Sequence, residues 1–157
     1  MEKTNVMRKL DSLKITHKEY EFPVGDVVPT GVEVANILNL NIDQVFKTLV
    51  TIGKSNNHYV FMIPVDKELD LKKAAAAVKE KSIEMVKSKD LLNLTGYIHG
   101  GCSPIGMKKF FKTTIHNTAH LYDSIIFSAG KIGYQVELSF NDLKKVIRIE
   151  EADLIKD

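Results

Sequence analysis

A chain of 157 residues, 44% hydrophobic and 27% charged, has the make-up of one soluble globular domain spanning 1–157. A net charge of +2 excludes a wholesale basic surface, so any nucleic-acid partner must be held by a local patch. One cysteine excludes an internal disulfide and predicts a cytoplasmic setting; no apolar run approaches the ~20 residues of a membrane span, and Met1–Asn5 leads into no signal-type core.

Thr4 or Asn5 caps a first helix with Val6, Leu10 and Leu13 on its apolar face. Residues 16–22 alternate polar and aromatic and end at Pro23, a short strand. Thr30 with Glu33 is a capping box for a helix through Val34, Ile37 and Leu38. Val45 to Ile52 and Tyr59 to Ile63 flank the turn residues of Gly53–Asn57 and predict a buried hairpin. Asp70 caps a helix from Leu71 to Lys79, whose four alanines suit close packing on a sheet. Ser82 to Val86 predicts a strand, and Ser88 starts a short helix through Leu94.

The most unusual stretch is His99-Gly100-Gly101-Cys102-Ser103-Pro104-Ile105-Gly106. Glycine permits positive φ and close approach of a ligand, and proline rigidifies, so such a loop can present main-chain N–H groups to an anion or oxyanion. It is not a Walker loop, because Met107-Lys108 follows Gly106 where Lys-Ser/Thr is required. A tight turn between strands fits the glycines equally well. Beyond it, strands are expected at Phe110–Ile115, Ser124–Phe127 and Tyr134–Leu138, a helical turn at Asn117–Leu121, and a last helix starting at Asn141-Asp142 and running through Ile147. Short hairpin links among interleaved helices predict an α+β fold with a largely antiparallel or mixed sheet.

Chemistry-bearing residues are few. Lys47 stands alone in an apolar strand, sharing a side by alternation with Val45 and Leu49; it is either a snorkelling surface lysine or a cation placed in a cleft. Ser103 is either a turn-capping hydroxyl or part of an anion loop. Cys102 has no histidine at convincing spacing to act as base, and His116 with His120 lacks a third ligand, so neither a thiol nucleophile nor zinc is expected. Lys108, Lys109 and Lys112 beside Phe110 and Phe111 read as a solvated edge or as a flank for RNA.

The pair Phe46-Lys47-Thr48-Leu49 and Gly100-Gly101-Cys102-Ser103-Pro104-Ile105-Gly106 resembles the YbaK family of free-standing trans-editing deacylases, relatives of the editing domain of bacterial prolyl-tRNA synthetase. Leu69–Ala75 and the late glycine turn Ser128–Gly133 extend the likeness to nearly the whole chain. The resemblance implies a curved sheet closing towards a barrel, surrounded by helices, and a hydrolase acting on mischarged aminoacyl-tRNA, foremost Cys-tRNA(Pro), without cofactor or metal. It implies that Lys47 holds the 3′-terminal adenosine and its phosphate, that Gly100, Gly101, Ser103 and Gly106 form the oxyanion loop, and that Tyr20, Thr48, Ser128, Gly130 and Gln135 line the substrate site. The proposed family mechanism uses the substrate's own thiol to attack its ester. Some relatives carry Asp where this chain has Gln135, which keeps hydrogen bonding and loses a charge. Alternatives left open are a deacylase for Ala-tRNA(Pro) or another small aminoacyl-tRNA using water, a non-catalytic tRNA-binding module, and a small-anion or nucleotide binder. Prolyl-tRNA synthetase is the implied protein partner.

Overall fold

Thr4 starts the fold. Its hydroxyl accepts from the Met7 N–H at 3.2 Å and caps α1 (Asn5–Ser12), which buries Val6, Met7 and Leu10. In the computed structural model, which describes residues 1–157, Leu13 departs from the expected apolar face: it is the C-cap beyond the last turn and remains 46% exposed. β1 (Lys18–Glu21) follows, then α2 (Gly31–Ile37). The capping box forms, with Glu33 N–H donating to Thr30 Oγ1 at 3.2 Å and Thr30 N–H to the Glu33 carboxylate at 3.0 Å.

A 3₁₀ turn at Ile42–Gln44 leads into the hairpin β2 (Phe46–Gly53) and β3 (His58–Pro64). α3 (Leu71–Val78) is capped by Asp70, which accepts from Lys72 and Lys73 N–H at 3.0 Å, and its Ala74 and Ala75 pack close to Phe61 and Ile63. Next come β4 (Ile83–Met85), α4 (Ser88–Thr95), β5 (Lys112–His116), a 3₁₀ turn at Asn117–Leu121, β6 (Ile125–Ser128) and β7 (Tyr134–Leu138). α5 (Phe140–Val146) begins ahead of the expected Asn141-Asp142, because the Ser139 hydroxyl takes the Asp142 N–H at 3.0 Å and captures the cap position. β8 (Ile149–Ala152) was not anticipated from sequence.

The strands make two sheets, β1-β7-β6 and β4-β2-β3-β5-β8. Hairpin neighbours pair antiparallel, whereas β3–β5 and β5–β8 pair parallel, giving the mixed α+β architecture. The two sheets meet at a single parallel bridge, Val45–Ile126, and stop short of a closed barrel. Alternation along β2 and β3 separates two apolar layers. Phe46 and Met62 join α1, β6, β7 and α5 in one core, and Phe61 and Ile63 join α3 and Leu154 in another.

One register detail positions the site. β2 pairs with β3 over Phe46–Ile52, but with β4 only over Thr51–Gly53. Val50 still accepts from the Val86 N–H at 3.1 Å; between that bond and the Val45–Ile126 bridge, the edge of β2 has no strand beside it. The two sheets part there, and a cavity opens.

Candidate active site

The cavity has a volume of about 720 Å³. Its floor is Val45 and the first half of β2, where every residue from Phe46 to Val50 reaches it. Consecutive residues of a strand point to opposite faces, so this is possible only because the cavity opens at the free strand edge. The loop before α2 and its first turn (Val28 to Gly31, and Val34) make one wall. Ser88 and Leu91 of α4, with Met85 and Val86, make another. His99, Gly100 and Cys102 of the glycine-rich loop, and Ser128 and Gln135 of β6 and β7, complete it.

Lys47 is half-buried in this lining, and its ammonium makes no ion pair. Partial burial holds it below the ordinary lysine value, while Glu68 and Asp66 pull the other way from farther off. No carboxylate lines the cavity, and Lys47 is the one lysine or arginine in its lining. An anion entering here meets one cation and no acid.

The glycine-rich loop is held from behind. The buried Tyr97 hydroxyl donates to the Ile105 carbonyl at 2.5 Å and accepts from Asn5 of α1 at 2.8 Å. Gly101 N–H donates to the Ile98 carbonyl at 3.0 Å, closing a turn, whereas the N–H groups of Gly100 and Cys102 bond to no group of the protein. Gly100 has φ +88°, and a Cβ there would lie 2.9 Å from Val28 Cγ1 on the opposite wall. The positive φ favours glycine at this point, and a side chain there would also push Val28 aside. At Gly101 a Cβ would come within 3.0 Å of the Ile132 nitrogen, so the late glycine turn presses directly on the loop.

Of the residues singled out in the sequence, Lys47, Thr48, Gly100, Ser128 and Gln135 come together around the cavity. The Gln135 side chain has no partner within the protein and is free to bond a ligand; Ser128 Oγ accepts from Gly130 N–H at 3.2 Å. The others stand behind or apart. Ser103 is fully buried with its Oγ accepting from Ile105 N–H at 3.3 Å, and Gly106 and Gly130 pack against Tyr97 and Asn5. Tyr20 lies outside the lining and donates its hydroxyl to Glu137, whose other oxygen takes the Ser124 hydroxyl. Cys102 lines the cavity, and burial pushes its thiol up to about 12, leaving it neutral.

Sequence reasoning missed the walls: Val28 to Gly31, Ser88 and Leu91. Nothing local marks them, because two segments distant in sequence supply them. Among the histidines, His116 and His120 diverge: the first accepts from Leu154 N–H and the second meets Glu151. Asp11, His17 and Glu19 form a separate cluster away from the cavity, already bridged by the Lys3 ammonium at 3.1 and 2.8 Å from the two acids.

Known proteins share both the sequence and the fold. The family model for the aminoacyl-tRNA editing domain matches residues 26–146, a span that contains the whole cavity lining. EbsC of Enterococcus faecalis, described as a Cys-tRNA(Pro)/Cys-tRNA(Cys) deacylase, is 48% identical over 138 residues, covering 88% of this chain and 84% of that protein. A proline–tRNA ligase of Thermosipho africanus is 30% identical over 82 residues, 52% of this chain and 14% of the ligase. The solved structure of a trans-editing enzyme for prolyl tRNA synthetase superimposes with a TM-score of 0.84 over 99% of this chain and 100% of that one, at 21% identity, which speaks for the fold. With the family model spanning most of its length and a relative of this closeness, the chain belongs to the aminoacyl-tRNA editing family.

Proposed function

We propose that the protein is a trans-editing hydrolase that removes a wrongly attached amino acid from tRNA, with Cys-tRNA(Pro) its principal substrate. The observation that carries the reading is the unpaired Lys47 in a cavity lined also by Gly100 and Cys102, whose main-chain N–H groups bond to no group of the protein. Lys47 takes the phosphate of the 3′-terminal adenosine, and the two N–H groups take the oxygen of the tetrahedral intermediate. Preorganised donors of this kind are worth about 3 kcal/mol each in the transition state.

The Cys102 thiol is kept neutral by burial, and the lining hydroxyls of Thr48, Ser88 and Ser128 are hydrogen-bonded to no base that would activate them. A cysteinyl ester brings its own nucleophile. Its side-chain sulfur, as thiolate, attacks the ester carbonyl and forms a C–S bond. The C–O bond to the ribose breaks, and the departing ribose oxygen takes a proton to restore the RNA hydroxyl. The cyclic thioester so released is opened by water to free cysteine. Thr48, Ser128 and Gln135 supply neutral hydrogen-bonding groups for the aminoacyl end.

Single-turnover deacylation of Cys-, Ala- and Pro-tRNA(Pro) tests this, with wild type and Lys47→Ala side by side. Cysteine-selective release that disappears in Lys47→Ala is the expected result. Release of alanine at the same rate as cysteine would remove the thiol mechanism, and no release above buffer, with or without prolyl-tRNA synthetase, would remove the enzyme.

A further inference from the structure

Outside the cavity, charge is distributed unevenly. Residues 84–92 and 106–112 together hold five lysines against Glu84 and Asp90, while the whole chain has a net charge of only +2. The remainder of the molecule is therefore slightly acidic. Lys112 pairs with Glu150 at 3.7 Å, but Lys87, Lys89, Lys108 and Lys109 take part in none of the protein's ion pairs.

Two of these lysines belong to α4, a third is bonded to its last residue, and Lys109 follows that one in the chain. Lys87 is the N-cap of α4 and Lys89 lies in its first turn. Lys108 N–H donates to the carbonyl of Thr95, the last residue of α4, at 3.0 Å, and its Cγ lies 3.4 Å from where a Cβ on Gly96 would stand. α4 also supplies Ser88 and Leu91 to the cavity wall, so the basic flank begins at the mouth of the site.

Phe110 is next to Lys109 in the chain and is 57% exposed. It borders a second cavity, of about 370 Å³, with Asn57, His58, Phe111 and Lys112. The Phe111 ring is tilted 52° against His58 at 5.5 Å and packs against the apolar cluster of Val50, Val60, Tyr97 and Cys102.

Unpaired lysines beside an exposed aromatic ring suit a nucleic acid: the lysines meet phosphates, and a ring face stacks any base. Resting on the function proposed above, we propose that α4 and the segment 106–111 form an RNA-docking face for the acceptor end of the substrate. Lys87, Lys89, Lys108 and Lys109 contact its backbone, and Phe110 stacks on an unpaired base of the 3′ segment.

The test is fluorescence anisotropy of an unacylated acceptor-stem microhelix ending in CCA, titrated at several salt concentrations. Because the RNA carries no ester, the measurement is independent of deacylation; failure of the enzyme reading would appear separately, as absence of ester cleavage by wild type. Lys108→Glu with Lys109→Glu is expected to weaken binding at least tenfold and to reduce the salt slope of log K by about 2, one for each phosphate no longer neutralised. Phe110→Ala, at an exposed position, is expected to weaken it about fivefold with the salt slope unchanged. Lys144→Glu with Lys145→Glu on α5 makes the same change in net charge and should leave affinity within about twofold. Wild-type affinity in the Lys108/Lys109 variant, or an equal weakening in the α5 variant, overturns the docking face; wild-type affinity in Phe110→Ala overturns the stacking interaction.

Discussion

The Tyr97 hydroxyl donates to the Ile105 carbonyl at 2.5 Å, and both residues are buried. That bond spans the glycine-rich loop and, through Asn5, fastens it to α1. The oxyanion role proposed for the loop requires its main-chain donors to be held still, and this clamp does so where glycines contribute no side-chain packing of their own.

Removing the clamp should cost both stability and rate. Tyr97→Phe keeps the ring but leaves the Ile105 carbonyl and the Asn5 amide without this partner. A loss of about 1–3 kcal/mol is expected, seen as a drop in Tm of roughly 2–4 °C per kcal/mol for a chain of this size. In deacylation the fall should be in kcat more than in KM. An unchanged Tm would show that the hydroxyl contributes nothing to the fold.

Lys47 should behave in the opposite way. It has no ion pair to lose, and burial already disfavours its charge. Lys47→Met should leave stability within about 0.5 kcal/mol of wild type or raise it, while kcat/KM falls by about 100-fold or more, as when one electrostatic interaction with the transition state is removed. Thermal unfolding and single-turnover kinetics on the same preparations decide this. A variant that is active but unstable would make Lys47 a structural residue.

Gln135 offers a similar separation. Its amide faces the cavity without a protein partner, so Gln135→Leu removes only a bond to substrate. KM should rise about tenfold, the worth of one hydrogen bond of ~1.4 kcal/mol, with Tm unchanged or higher. Equal kinetics in the two proteins would mean that substrate does not reach this wall.

Cys102 ionises late. Burial pushes its thiol up from 9.0 to about 12, so in the folded protein it stays neutral at pH 7–9 and should be alkylated by iodoacetamide more slowly than a free thiol. In the unfolded chain it loses its proton near 9; above that pH the unfolded state binds fewer protons than the folded one. Stability therefore falls as pH rises from about 9 to about 12. Urea unfolding of wild type and Cys102→Ala at pH 8 and pH 10 isolates the effect: the wild type should lose more stability between the two. Deacylation by Cys102→Ala should stay within about threefold of wild type, because a neutral thiol is no nucleophile.

Elements whose signals lie within a few neighbouring residues are legible in the sequence. The Thr30–Glu33 capping box, the Asp70 cap, the turn residues between β2 and β3 and the alternation of their strands all act over local distances, and each element forms where expected. The motifs around Lys47 and the glycine-rich loop likewise point to the family. Local signals are weaker where two caps compete, as Ser139 does with Asn141 and Asp142. What the sequence by itself determined was therefore most of the elements and the two segments that carry chemistry. Only the tertiary structure decided which residues of those segments line the cavity. β8 exists because β5 offers it a parallel edge, and the cavity exists because β4 covers only the end of β2. The free strand edge lets Lys47 and Thr48 share one space although alternation points them to opposite faces. Burial turns Ser103 away, and α4 and the loop beside Phe110 come together through the bond from Lys108 to Thr95. These are contacts between distant parts of the chain, and no short-range preference encodes them.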